Sequence, residues 1–159
     1  MLTFKDMFLD AFNNSAKYLK GMSYMIKYLT SLDGINSKQL DGFFVGWNNP
    51  LTKEQHFMTL QNSEYIVLAY DPEKKRVIGF INALSDEVNF AFIPMLEVLP
   101  EYQNKGIGKQ LMNKMISLLD HLNCIDLTCD KEMQSFYERF GMLKSHGMVF
   151  RKYLDKNNE

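Results

Sequence analysis

The sequence has little of what marks a specialised architecture. Two cysteines, four prolines and one tryptophan occur in 159 residues. Two thiols are too few for a disulfide framework. If Cys124 and Cys129 share a strand, their odd offset points them to opposite faces, so no bridge is expected and a reducing, cytoplasmic setting is the default. No apolar run approaches the 18 or so residues that a membrane helix needs. Lys5, Asp6, Asp10, Lys17 and Lys20 interrupt any secretory h-region. Neither charge sign dominates: the formal net charge is -1, which gives no global pull toward nucleic acid or an anionic membrane. Neither is expected as a partner. Low-complexity tracts and internal repeats are also missing, which excludes disordered and solenoid architectures.

What is present is one domain's worth of ordinary globular sequence, 46% hydrophobic and 23% charged. We read residues 1–159 as a single domain, with a helical extension over 1–22 and a core over 24–153. In the extension Phe4, Met7, Phe8, Ala11, Phe12, Tyr18 and Leu19 recur at helical spacing. That apolar stripe packs on this chain or on a second copy, which makes a homodimer worth testing. Tyr24 to Thr30 reads as a strand. Thr52 is an N-cap for a helix over Lys53 to Leu60.

The middle is strand-rich. Tyr65 to Tyr70 is a continuous apolar run, Asp71 to Lys75 a turn, and Val77 to Ala83 the second arm of a hairpin. Phe90 to Leu99 is a further strand. Pro94 inside it cannot donate to a ladder, so the strand must be bulged or unpaired there. Ile107, Leu111, Met115, Leu118, Leu119 and Leu122 mark one face of a long helix. Cys124 to Cys129 reads as a strand, Glu132 to Phe140 as a helix capped by Gly141, and Met142 to Tyr153 as a last strand pair or bent strand. The order is β, helices, three antiparallel strands, then βαβαβ. It predicts an α/β fold with a mixed sheet and helices on its faces.

The segment that carries chemistry is Leu96-Glu97-Val98-Leu99-Pro100-Glu101-Tyr102-Gln103-Asn104-Lys105-Gly106-Ile107-Gly108-Lys109. It is a strand end, a polar loop, two glycines and a helix start. Amides at a helix N-terminus have no internal partners and suit a phosphate or pyrophosphate. Gly106 and Gly108 would let such a group approach the backbone. Lys105 and Lys109 add positive charge, and Lys109 in the first turn opposes the helix dipole, which hints at a compensating anion. A Walker A loop fails, because Gln110 stands where Ser or Thr is needed and Gln103 where the first Gly is needed. A dinucleotide-binding loop fails at Leu111, where its third Gly would fall.

Gln103-Asn104-Lys105-Gly106-Ile107-Gly108 resembles the coenzyme A loop of the GNAT superfamily, written Q/R-x-x-G-x-G/A. Downstream, Phe136-Tyr137-Glu138-Arg139-Phe140-Gly141-Met142 is similar to that family's F-Y-x-x-x-G-F. The resemblance implies a mostly antiparallel central sheet with a splayed strand pair, and acetyl-coenzyme A as cosubstrate with no metal. It assigns the cofactor to Val98, Leu99, Gln103, Asn104, Lys105, Gly106, Ile107, Gly108 and Lys109. Asp130 stands where many members have Asn, seven residues before the tyrosine, and the cofactor-holding role is carried to it only weakly.

The resemblance further implies an N-acetyltransferase in which an amine attacks the thioester directly. Tyr137 would protonate the departing thiolate, although it also sits on an apolar stripe with Met133, Phe136 and Phe140. Glu97 is the best-placed carboxylate for a base, and an ordinary exposed-face glutamate is the equal alternative. Trp47 could wall an acceptor pocket, while Phe43 and Phe44 read as core. His121, Cys124, Cys129 and His146 match no familiar zinc spacing, so no metal is expected. The competing class is a non-catalytic acyl-coenzyme A binder or regulatory protein. The acceptor amine is not legible, because pockets of this kind are built from variable loops.

Overall fold

The computed structural model describes residues 25–152, so the helix expected over 1–22, together with Tyr24 and Tyr153, lies outside the described residues. Five strands, β1 (Lys27–Leu29), β2 (Tyr65–Asp71), β3 (Arg76–Ser85), β4 (Phe90–Val98) and β5 (Cys124–Leu127), form one sheet in sequence order. Pairing is antiparallel from β1 to β4 and parallel between β4 and β5. The helices are α1 (Lys53–Gln61), α2 (Ile107–Leu118) and the short α3 (Gln134–Glu138), with 3-10 turns at Ser37–Leu40, Pro100–Tyr102 and Lys131–Met133. This is a mixed α/β fold with helices on both faces of the sheet.

Local chemistry sets the boundaries. The Thr52 hydroxyl accepts the Gln55 N–H at 3.2 Å and the Gln55 side chain accepts the Thr52 N–H at 3.0 Å, a capping box that starts α1. Oδ1 of Asp71 accepts the N–H groups of Glu73 (2.9 Å) and Lys74 (3.0 Å) and so closes the β2–β3 turn.

The apolar residues divide between the two faces. Leu111, Met112 and Met115 from α2, with Leu119 at its C-cap, are fully buried against Val67, Ala69, Ile78 and Ile81. On the opposite face Leu40, Phe44 and Leu60 pack over Leu68, Val77 and Phe80. Each such side chain contributes roughly 1.5–3 kcal/mol of burial. α2 approaches the sheet closely where Gly79 stands, since a Cβ there would lie 3.1 Å from Leu111 and 3.2 Å from the Glu97 carbonyl.

Two expectations need correction. The helix expected over Glu132 to Phe140 is a 3-10 turn followed by five helical residues, ending at Gly141 in the left-handed region (φ 79°). No strand forms over the described residues 142–152. Leu143 (91% exposed), Met148 (102%) and Phe150 (75%) stand largely in solvent, and among the described residues β5 pairs only with β4. A strand exists through its partner, and an apolar run reports propensity without saying that a partner is there.

Candidate active site

The site begins at Pro94. Opposite Ala83, β4 places two residues, Ile93 and Pro94, where β3 has one, because the register passes from Leu84↔Phe92 to Asn82↔Met95. The parallel ladder with β5 runs from Phe90↔Cys124 to Ile93↔Leu127 and stops there. Pro94 has no N–H to continue it. Bulge and splay therefore share one cause, and the sheet opens between β4 and β5 beyond Ile93.

Into that opening face backbone groups that β3 does not use. The Leu99 N–H donates to the Ile78 carbonyl at 3.0 Å. By the alternation of antiparallel pairs, the N–H groups of Val98 and Leu96 then point away from β3, toward the side that β5 has left. The Val98 carbonyl accepts the Gln103 side-chain amide at 3.0 Å. Leu99 differs: its N–H is engaged and its side chain is 1% exposed, so the structure gives it a core role.

The loop after β4 delivers α2 with its N-terminus uncapped. Gly106 is the N-cap residue in the left-handed region (φ 80°, ψ 2°), with no side-chain cap. The Gln110 N–H reaches the Gly106 carbonyl at 3.1 Å, which leaves the amides of Ile107, Gly108 and Lys109 without helical partners. A Cβ on Gly106 would meet nothing within 4 Å, so the space beside this glycine is open. Gly108 has a different reason. Its Cβ would point at Phe136 (3.7 Å) and Val98 (3.8 Å), so the side away from its free N–H lies where β4, α2 and α3 converge.

Asn104 also lies in the left-handed region (φ 59°) and turns the loop. Lys105 folds back, donating to the Glu101 carbonyl at 2.8 Å and resting 5.1 Å from the centre of the Tyr102 ring. Lys109 and Asp130 are exposed, and Asp130 precedes the turn at Lys131–Met133 without capping it through its side chain.

Tyr137 packs its ring edge-on to Phe136 at 5.0 Å and joins the α2-side core as a partly buried residue. Burial, and then the neighbouring Cys129, push its hydroxyl up to about 12, so it stays protonated across the neutral range. Cys129 is itself raised by burial and by the charge of Asp130, and both cysteines are free thiols.

Of the two readings of Glu97, base or exposed-face glutamate, its partial burial does not fit the exposed face. Oε1 accepts the Phe44 N–H at 2.8 Å, and Oε2 is buried without a partner. Burial raises its pKa and the Phe44 amide opposes this in part. Phe44 is 4% exposed and Trp47 is 45% exposed beside it, their rings edge-on at 5.2 Å. Among the described residues no three His, Cys, Asp or Glu side chains cluster as metal ligands, and no helix is long and apolar enough to cross a membrane.

Sequence reasoning missed two participants. Phe44 was read as core, and its amide contact with Glu97 spans 53 residues. Tyr102 braces the loop through Asp71, a bond across 31 residues that no local pattern encodes.

Residues 32–142 match the family model described as Acetyltransferase (GNAT) family. An N-acetyltransferase named ycf52 from Gracilaria tenuistipitata var. liui, described as uncharacterized, is 33% identical over 135 residues, covering 80% of this chain and 73% of that protein. A crystal structure from Deinococcus radiodurans R1, assigned as an acetyltransferase, aligns at 41% identity with a TM-score of 0.78 over 80% of this chain and 89% of that one. A GNAT-family acetyltransferase from Streptococcus pneumoniae TIGR4 aligns at 26% identity and TM-score 0.66, over 80% and 98%. With the splayed strands and the glycine-started helix already in place, the chain belongs to the GNAT family and is an acetyltransferase.

Proposed function

We propose that the protein transfers an acetyl group from acetyl-coenzyme A to a primary amine by direct attack in a ternary complex. The observation that carries the reading is the pairing of an uncapped α2 N-terminus with an opened β4–β5 edge. The donor fits both parts. The amides of Ile107, Gly108 and Lys109 would hold its pyrophosphate, with Asn104 and Gly106 shaping the turn. The outward N–H groups of Val98 and Leu96 would hold the strand-like arm and face the thioester carbonyl. Gln103 would act indirectly, by fixing the loop to the end of β4. Lys105, Lys109 and Asp130 line the approach.

Acetyl-coenzyme A supplies the activated acyl group. The rest is proton traffic at this chain's residues. Glu97, raised by burial, takes the proton from the acceptor ammonium. As the amine nitrogen bonds to the acyl carbon and the carbon–sulfur bond breaks, Tyr137 gives its proton to the departing sulfur, and the second proton that the nitrogen sheds as the amide forms returns through solvent to the tyrosinate. The acceptor enters beside Trp47 and the loop before α1. A homodimer, and a reducing compartment such as the cytoplasm, belong to the same reading.

Isothermal titration with acetyl-coenzyme A, followed by thiol release with spermidine, an aminoglycoside, free amino acids and a peptide with a free N-terminus, tests it. Saturable binding with amine-dependent thiol release is expected. Binding without release across the panel would favour a non-catalytic acyl-coenzyme A binder, and no binding at all would remove the cofactor assignment.

A further inference from the structure

We propose that Phe44 is a positioning residue for the transfer, whose backbone N–H holds one oxygen of Glu97 and so aims the other at the acceptor amine. The inference rests on the reading of Glu97 as the base. Three observations carry it. The first is the bond itself, Phe44 N–H to Glu97 Oε1 at 2.8 Å, with Oε2 buried and partnerless. A buried carboxylate oxygen with no donor is costly, and an acceptor ammonium that displaces its cover supplies the missing one.

The second is the backbone. Phe44 sits at φ 65°, a region that bulky residues avoid, so tertiary contacts must hold it there. The third is what holds it. Its ring lies edge-on to His56 at 4.9 Å and to Trp47 at 5.2 Å, and 6.0 Å from Phe80. Phe80 is the cross-strand partner of Glu97. The circuit closes: ring against Phe80, Phe80 beside Glu97, Glu97 bound to the amide of the same Phe44.

The surroundings make the contact readable by pH. The loop contributes the Phe44 amide, and Phe80 on β3 does not titrate. His56 on α1, lowered to about 4 by burial, is neutral in the working range. Burial and the Phe44 amide are the two influences that move Glu97. Loss of that amide raises the pKa of Glu97 further, since an N–H donor favours the ionised form.

The test follows kcat/KM against pH for the amine of the panel that releases most thiol, with the Glu97 carboxyl carbon titrated by 13C NMR in the full chain. Phe44→Gly frees the backbone and removes the ring. Gly46→Ala strains the loop from a position (φ 81°) where an added Cβ meets nothing within 4 Å, and covers the case in which Phe44→Gly does not fold. Phe44→Leu keeps the amide and the buried bulk. In Phe44→Gly and Gly46→Ala, kcat/KM is expected to fall about tenfold or more, while KM for acetyl-coenzyme A is unchanged. The acidic limb and the NMR titration should move upward together by about half a pH unit or more. Phe44→Leu should restore most of the rate and the wild-type limb.

An acidic limb that survives Glu97→Gln overturns the base reading and this inference with it. A limb that is lost in Glu97→Gln yet unmoved in the loop variants overturns the positioning role alone.

Discussion

The Tyr102 hydroxyl donates to Oδ2 of Asp71 at 3.1 Å, and this bond ties the loop before α2 to the β2–β3 turn. Asp71 is 3% exposed. Burial alone would raise its pKa, but hydrogen bonds from Lys74, Tyr102 and Glu73 outweigh it and the net direction is downward. Tyr102→Phe leaves the buried carboxylate short of a donor, at about 1–3 kcal/mol. Denaturant titration is expected to show that loss, together with weaker acetyl-coenzyme A binding as the loop loosens. The lowered pKa makes the contribution of Asp71 present at neutral pH and lost as pH falls through the acid range. Asp71→Asn should accordingly reduce the loss of stability on acidification.

Gly106→Ala separates strain from ligand approach. The left-handed backbone at φ 80° costs an L-residue roughly 1–2 kcal/mol, and no atom within 4 Å would clash with the new methyl. Thermal unfolding should register that modest loss. If the amides over α2 receive the pyrophosphate, affinity for acetyl-coenzyme A falls by a larger factor than the strain explains. Equal affinity in wild type and variant would mean the ligand does not cross this glycine.

Tyr137→Phe removes one hydroxyl and little packing. As the acid, Tyr137 would contribute on the order of 10²-fold to kcat. Its pKa, pushed up to about 12, places any basic limb due to it above the range of ordinary assays. Steady-state kinetics that show unchanged kcat would assign Tyr137 to packing with Phe136.

His56 offers a stability test apart from catalysis. It is fully buried among Phe43, Phe44 and Phe80, with neither ring nitrogen hydrogen-bonded. Burial lowers its pKa to about 4, and the nearby Leu40 carbonyl, which falls short of a hydrogen bond, opposes this only in part. The unfolded chain, titrating near 6.5, therefore binds the proton first. Stability is full above about pH 6.5 and falls as pH drops toward 4, by an order of 3 kcal/mol. His56→Leu should flatten the curve over that window in denaturant titrations at stepped pH, and equal slopes in both proteins would exclude His56 as its cause.

The sequence by itself determined what depends on neighbours along the chain. Thr52 starts α1 because its hydroxyl and Gln55 are three residues apart. Pro94 interrupts a ladder because it carries no N–H. Gly106 opens α2 because the turn needs φ of 80°. Those local rules were enough to place element ends and to find the loop.

Tertiary structure decided the rest. Gly108 has a second reason to be glycine, that β4, α2 and α3 converge beside it, since only packing sets where its missing Cβ would point. Leu99 looked like part of the cofactor strand and has its N–H taken by Ile78. Met142 to Tyr153 carries strand-forming residues, yet no described strand pairs with its described part. Glu97 was a candidate base from its place in the strand, but its environment came from the fold: Phe44, 53 residues earlier, meets one of its oxygens and burial isolates the other. Hydrogen bonds and desolvation act between groups that are close in space, and separation along the chain does not record that closeness.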